Sequence, residues 1–169
     1  PDAGDLVGQE AVPILPNDTA GEVMAKVTVA GERLLWRLAP QLAAGIAPRT
    51  PLDLAAGNYF GRRRPEDGRI DWRQGARAIH NLVRAVAPPY PGAFTDLADG
   101  TRLALFGSHY RGEAGHLSHP ALYVEKGRIY ADCTDSERFE VLKCALNDQP
   151  LTADSLSAIA GGDALLLGV

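Results

Sequence analysis

A run of three arginines at positions 62–64 is the strongest candidate for chemistry in this sequence. It lies within the segment Asn58–Asp67, directly after two aromatic residues and Gly61. The planar guanidinium group donates pairs of hydrogen bonds that match phosphate or carboxylate oxygens. The run therefore predicts the rim of a phosphate or nucleotide site. A solvated basic loop is the alternative, since clusters of charge mostly cover protein surfaces.

Asp2 is the second candidate, because it lies at a glycine-containing turn ahead of an apolar segment. A carboxylate in that position can orient an imidazole ring and raise its pKa through opposite charge. A surface turn residue is the simpler interpretation from the residues alone. The sequence contains no Gly-x-Ser-x-Gly elbow, phosphate-cradling loop or dinucleotide fingerprint, so it assigns no nucleophile.

Four histidines occur, and only His116 and His119 are close in sequence. A glycine and a proline flank that pair and favour a loop, so we predict surface histidines and no metal site. His80 lies in a predicted helix, where Asn81 and Arg84 are one turn apart. Polar packing against a neighbouring unit is the simplest role for His80.

The composition is that of a globular protein, with 46% hydrophobic and 22% charged residues among 169. The net charge of -4 disfavours a duplex nucleic acid as partner. The two cysteines, Cys133 and Cys144, lack the spacing of a zinc site and predict free buried thiols in a cytoplasmic protein. No apolar run is long enough to span a membrane. The oligomeric state is not predicted.

The first third of the chain predicts one short strand within residues 6–15 and one long helix. Apolar residues recur at helical spacing from Thr19 to Gly45, and Pro40 predicts a kink or an end near Ala39. A glycine-rich turn and a strand at the very start are typical of the middle of an α/β unit. We therefore expect a fragment whose earlier strands are missing.

The rest of the chain predicts an α+β arrangement in which one amphipathic helix precedes a set of short strands. The helix spans Arg73–Val86 and ends before two prolines. Asp99-Gly100 and Lys126-Gly127 are hairpin-type turns, and a last helical turn is expected at Thr152–Ala160. An open β-barrel of the oligonucleotide/oligosaccharide-binding (OB) type fits this spacing, with a sandwich as the alternative. The predicted strands cover residues 93–97, 102–107, 121–125, 128–133 and 139–146.

Several segments together resemble the folate-dependent formyltransferases, in particular the group acting on UDP-4-amino-4-deoxy-L-arabinose in lipid A modification. The resemblance extends over most of residues 1–100 and weakens beyond them. It rests on these blocks: Asp2-Ala3-Gly4, Phe60-Gly61-Arg62-Arg63 with Pro65 and Asp67, His80-Asn81-Leu82-Val83-Arg84-Ala85-Val86, and Pro89-Tyr90-Pro91-Gly92-Ala93-Phe94.

The resemblance implies formyl transfer from 10-formyltetrahydrofolate to the amino group of a UDP-amino sugar. It makes Asp2 the catalytic aspartate and places Pro1 and Asp2 beside the cofactor, although Pro1 departs from the small residue expected there. Arg62 and Arg63 become candidates for binding the uridine diphosphate. The family's catalytic asparagine and histidine would lie upstream of this chain, which alone is expected to be incomplete and inactive.

The implied domains are the end of a Rossmann-like catalytic domain at residues 1–47, a linker at 48–66 and an OB-like barrel at 67–169. Two alternatives remain open. Methionyl-tRNA formyltransferase shares the architecture, but the excess of acidic residues over residues 93–169 disfavours an RNA-binding surface. A barrel module that binds a partner without catalysis is the other.

Overall fold

The computed structural model describes residues 4–161 and 163–168, and the chain forms two compact units. Unit 1 comprises Pro1–Ile14 and Glu22–Arg63, and unit 2 comprises Leu15–Gly21 and Arg64–Val169. We call Leu15–Gly21 the strap. No helix among the described residues is long and apolar enough to cross a membrane.

The strand predicted within residues 6–15 is wrong. Only Leu6 pairs, in an isolated antiparallel bridge with Thr50 whose two backbone hydrogen bonds are 2.8 and 2.9 Å long. No strand precedes residue 93 among the described residues, so the segment has no strand in unit 1 to pair with, and Pro13 removes one further N–H group.

Helix α1 spans Ala20–Ala43 and most of it belongs to unit 1. Pro40 predicted a kink or an end near Ala39; the end is wrong, because the helix continues for one further turn. Pro40 offers no N–H group to the helix, but its own carbonyl accepts a 3.0 Å hydrogen bond from the Ala44 N–H. The position is solvent-exposed, so water can satisfy the carbonyl that the proline leaves without a donor. A short 3₁₀ helix follows at Leu54–Ala56.

Unit 2 is built on a curled antiparallel sheet. Its strands are β1 Ala93–Asp96, β2 Arg102–Ala114, β3 Ala121–Glu125, β4 Arg128–Asp132, β5 Glu137–Leu146, β6 Gln149–Pro150 and β7 Leu165–Leu166. The order in the sheet is β1-β2-β5-β4-β3-β7, with β6 paired to β5. The register shifts along β2 and β5 on both sides of Gly107 and again before Glu113, and such irregularities bend a strand.

Three helices complete unit 2: a 3₁₀ helix at Pro65–Gly68, α2 at Ala76–Ala85 and α3 at Ala153–Ile159. The apolar face of α2 joins the sheet in one core, where Ile79, Val83 and Phe139 are at most 1% exposed. The five predicted strands, both later helices and the α+β class are thus confirmed. So is the Lys126-Gly127 turn, where both residues have positive φ angles of 52° and 75°.

The first turn of α2 is capped from a distant loop. The Asp135 carboxylate accepts a 3.0 Å hydrogen bond from the Ala76 N–H. A Cβ atom on Gly75 would lie 2.1 Å from that carboxylate, so only glycine allows this approach.

We expect Asp135→Ala to lower the free energy of unfolding by about 1 kcal/mol, the usual cost of losing a helix cap. Asp135→Asn is the matched control, because its amide oxygen still accepts the hydrogen bond, and it should lose less than half as much. Urea unfolding followed by circular dichroism checks both values. An equal loss in the two variants would contradict the capping role.

Candidate functional site

The arginine run lies in an irregular, solvent-exposed segment. Arg62 and Arg63 are exposed, and the preceding Tyr59 and Phe60 are 95% and 86% exposed. The segment ends where the Arg64 N–H donates a 2.7 Å hydrogen bond to the Asp67 carboxylate and so begins the 3₁₀ helix at Pro65–Gly68. Exposed guanidinium and aromatic groups side by side can bind an anion and stack on a ring.

The other two predicted site residues, Pro1 and Asp2, lie outside the described residues. Their predicted roles beside the cofactor and in catalysis stay predictions. Of the sequence-predicted site, the structure therefore describes the arginine part.

His80 makes polar contacts, as the sequence predicted, but its partners Pro16 and Ser108 lie in unit 2 itself and not in a neighbouring unit. The ring is 1% exposed, its Nε2 lies 3.1 Å from the Pro16 carbonyl of the strap, and its Nδ1 lies 2.8 Å from Ser108 Oγ. A carbonyl can only accept, so Nε2 carries the proton and Nδ1 accepts from the Ser108 hydroxyl. Burial lowers the pKa of His80, and the charges of Arg84 and His109 lower it further. The Pro16 hydrogen bond opposes this shift.

Two further hydrogen bonds hold the strap. The Tyr110 N–H donates to the Asn17 side-chain oxygen over 3.0 Å, and the Arg84 guanidinium donates to the Asp18 carbonyl over 3.0 Å. Asn81 accepts a 2.8 Å hydrogen bond from Arg84 and orients it, as the predicted one-turn spacing of these two residues indicated. Three residues of α2 thus hold the strap: His80 and Arg84 bond to it directly, and Asn81 orients Arg84.

Asp132 organises the loop that precedes β3. Its fully buried carboxylate accepts hydrogen bonds from the N–H groups of His116 and Leu117 over 2.5 and 2.6 Å. It also accepts one from the Tyr123 hydroxyl over 2.9 Å. A Cβ atom on Gly115 would lie within about 3 Å of this carboxylate, so the loop needs glycine there. Burial raises the pKa of Tyr123 to about 12, and the bond to Asp132 adds to the rise.

Arg138 lies at the centre of a charged cluster on β5. Its guanidinium forms ion pairs with Glu113 and Glu125 and lies 4.3 Å from the centre of the Tyr130 ring. Its side chain is only 12% exposed. The hydrogen bond from Arg138 lowers the pKa of Glu125, and a weaker contribution from His116 lowers it further. The cavity beside it has a volume of about 10 Å³, which is room for one water molecule.

The remaining candidates are His119 and the two cysteines. His119 is exposed, and the described residues contain no group of three or more histidine, cysteine or acidic side chains that could hold a metal ion. Cys133 and Cys144 are free and buried, as predicted. Burial raises the pKa of both thiols, to about 11 for Cys144, so neither is a thiolate near neutral pH.

Residues 62–158 match the family described as formyl transferase, C-terminal domain. The chain belongs to this family. The formyltransferase C-terminal domain accounts for more than half of the chain, and the match begins at the arginine run.

Two solved structures of formyltransferases share the fold of most of this chain. The N-formyltransferase from Helicobacter canadensis, solved with folinic acid and dTDP-3-aminofucose, is 16% identical with a TM-score of 0.66 over 89% of this chain and 51% of its own. The sugar 3N-formyltransferase WlaRD, solved with dTDP and 5-N-formyl-THF, is 17% identical with a TM-score of 0.65 over 89% and 50%.

HypX from Aquifex aeolicus, solved with tetrahydrofolic acid, is also 17% identical with a TM-score of 0.65. There the likeness covers 95% of this chain and 28% of the HypX chain. The chain thus spans about half the length, or less, of the solved structures that it resembles.

Proposed function

We propose that this chain is part of an enzyme that transfers the formyl group of 10-formyltetrahydrofolate to the amino group of a nucleotide-linked amino sugar. The specific acceptor that we propose is a UDP-amino sugar of the UDP-4-amino-4-deoxy-L-arabinose type, as in lipid A modification. The family match over residues 62–158 carries the proposal. Two similar folds, solved with dTDP-3-aminofucose and with dTDP, support a nucleotide sugar as acceptor.

The chain's own residues would contribute a carboxylate and two cations. When bound, 10-formyltetrahydrofolate supplies an activated formyl group. The sugar amine forms the new C–N bond to the formyl carbon, the bond from that carbon to the folate nitrogen breaks, and the proton of the amine ends on that nitrogen. Asp2 would hold the imidazole that moves this proton and favour its charged form. Arg62 and Arg63 would bind the diphosphate.

We propose that the folate binds beside Pro1 and Asp2 and not in the cavity beside Arg138. The cavity beside Arg138 admits about one water molecule and is too small for a pteridine ring. The exposed arginines suit a diphosphate, because guanidinium groups match phosphate oxygens and an exposed segment leaves them accessible to a large substrate.

The proposed domain organisation follows from the same assignment. Residues 1–47 would be the end of a Rossmann-like catalytic domain, 48–66 a linker, and 67–169 an OB-like barrel. The family's asparagine and histidine would come from sequence outside this chain, so residues 1–169 alone would not catalyse the formyl transfer. Two buried free thiols suit a reducing compartment, and we propose the cytoplasm.

Replacing Arg62 or Arg63 by alanine in the complete enzyme is expected to raise KM for the UDP-amino sugar about tenfold, the effect of losing about 1.4 kcal/mol of binding. The turnover number should change little, because the diphosphate lies away from the reacting amine. Steady-state kinetics with varied acceptor and saturating formyl donor separates the two constants.

Arg49→Ala is the matched control, since Arg49 is also exposed and lies upstream of the segment. An unchanged KM in both Arg62→Ala and Arg63→Ala would contradict the diphosphate site. Formylation of methionyl-tRNA in place of the sugar would favour the other enzyme class, and turnover by residues 1–169 alone would contradict the proposed need for further residues.

A further inference from the structure

Polar contacts attach the strap to the rest of unit 2. None of its residues is fully buried, and Leu15 is 54% exposed. Three donors from the rest of unit 2 bond to it: His80 to the Pro16 carbonyl, Tyr110 to Asn17 and Arg84 to the Asp18 carbonyl. A segment held in this way opens more easily than one held by apolar packing.

Of these donors, His80 is the one whose charge changes near neutral pH. As a neutral ring it satisfies both neighbours, donating from Nε2 to Pro16 and accepting at Nδ1 from Ser108. A second proton on Nδ1 removes that acceptor and creates a buried cation. Burial without a compensating anion is costly for a charged group.

No carboxylate among residues 4–161 and 163–168 is hydrogen-bonded to the ring. Tyr110 stacks on the ring with 5.9 Å between centroids, and its hydroxyl is already hydrogen-bonded to Glu137. Asp18 uses its carboxylate within the strap, as acceptor of the Leu15 N–H over 2.6 Å. The titratable and charged groups that face or adjoin the ring are Arg84 on α2, His109 and Tyr110 on β2, Glu137 on β5 and Asp18 in the strap.

We propose that His80 is a pH-sensitive latch that holds the strap on unit 2 while its ring is neutral and releases it when the ring is protonated. The direction follows from linkage. When the strap is released, the ring has the ordinary histidine pKa near 6.5. When the strap is docked, the pKa of the ring is lower. The released form therefore binds more protons, so docking is complete above about pH 6.5 and weakens as the pH falls below that value.

The Tyr110 amide reports the latch, because its hydrogen bond goes to Asn17 of the strap. Its exchange rate, divided by the intrinsic rate at each pH, is measured by NMR between about pH 5 and pH 7.5. In the unmodified chain we expect the protection of this amide to fall about tenfold as the pH is lowered from about 7.5 to 5. The protection of the Val141 amide within the sheet should stay constant. The ¹⁵N shifts of His80 should show the Nε2–H form at the upper end.

His80→Gln tests the titration, because glutamine keeps a donor for the Pro16 carbonyl but takes up no proton. Its Tyr110 protection should not depend on pH, and His119→Gln, at an exposed site, should behave like the unmodified chain. Asn17→Ala leaves His80 in place, removes the acceptor and should expose the Tyr110 amide at every pH. The latch would be overturned if Tyr110 protection in the unmodified chain did not depend on pH, or if it fell equally in His80→Gln.

Discussion

Asp132→Ala is expected to lower the free energy of unfolding of unit 2 by about 3 kcal/mol or more. The substitution leaves two backbone N–H groups and the Tyr123 hydroxyl without the carboxylate that now accepts from all three. Each buried donor that loses a charged acceptor costs about 1–3 kcal/mol, and part of this is recovered because no charge remains buried. Urea unfolding measured by tryptophan fluorescence gives the value.

Two variants separate this role from a general effect of losing an acid. Asp132→Asn keeps an oxygen acceptor and should lose about 1 kcal/mol. Asp163→Ala removes an exposed acid and should stay within about 0.5 kcal/mol of the unmodified chain. Asp132→Ala should also bring the pKa of Tyr123 down from about 12. A small loss of stability together with an unchanged tyrosine titration would contradict the role of Asp132.

Asp2→Asn is expected to reduce the turnover number of the complete enzyme about 10²- to 10⁴-fold. Asparagine keeps the shape of the side chain but cannot stabilise the charged imidazole that our proposal pairs with Asp2. KM for the amino sugar should change little, because the acceptor's diphosphate is proposed to bind at Arg62 and Arg63. Single-turnover measurements with preformed complex isolate the chemical step.

Asp5→Asn is the control for this experiment. Asp5 is a second acid three residues along the chain, exposed in unit 1, and its removal should leave the turnover number unchanged. Equal activity of Asp2→Asn and Asp5→Asn would remove Asp2 from the mechanism.

The parts of the fold that the sequence predicted correctly depend on local signals. The strands of unit 2 follow alternation and end at turns such as Lys126-Gly127, and α2 follows a helical repeat that ends before two prolines. The strand predicted within residues 6–15 is wrong because apolar composition does not reveal whether a partner strand exists, and Leu6 finds only an isolated bridge to Thr50.

The partners of the polar residues were missed because they are distant in sequence. His80 contacts the Pro16 carbonyl across 64 positions, and Tyr110 contacts Asn17 across 93. The alternation of buried and exposed residues along a strand also fails to identify Asp132 as buried, because its neighbours Ala131 and Cys133 are buried as well. Gly115 and Pro120 predicted a loop here, but no local pattern indicates that the loop folds over Asp132.

Product analysis in the complete enzyme tests the central claim most directly. Labelled 10-formyltetrahydrofolate is mixed with UDP-4-amino-4-deoxy-L-arabinose, and the label is followed by chromatography and mass spectrometry. We predict one formyl group on the sugar nitrogen, with stoichiometric release of tetrahydrofolate and greatly reduced label transfer in Asp2→Asn. Full consumption of a different acceptor with no label on the nucleotide sugar would contradict the account.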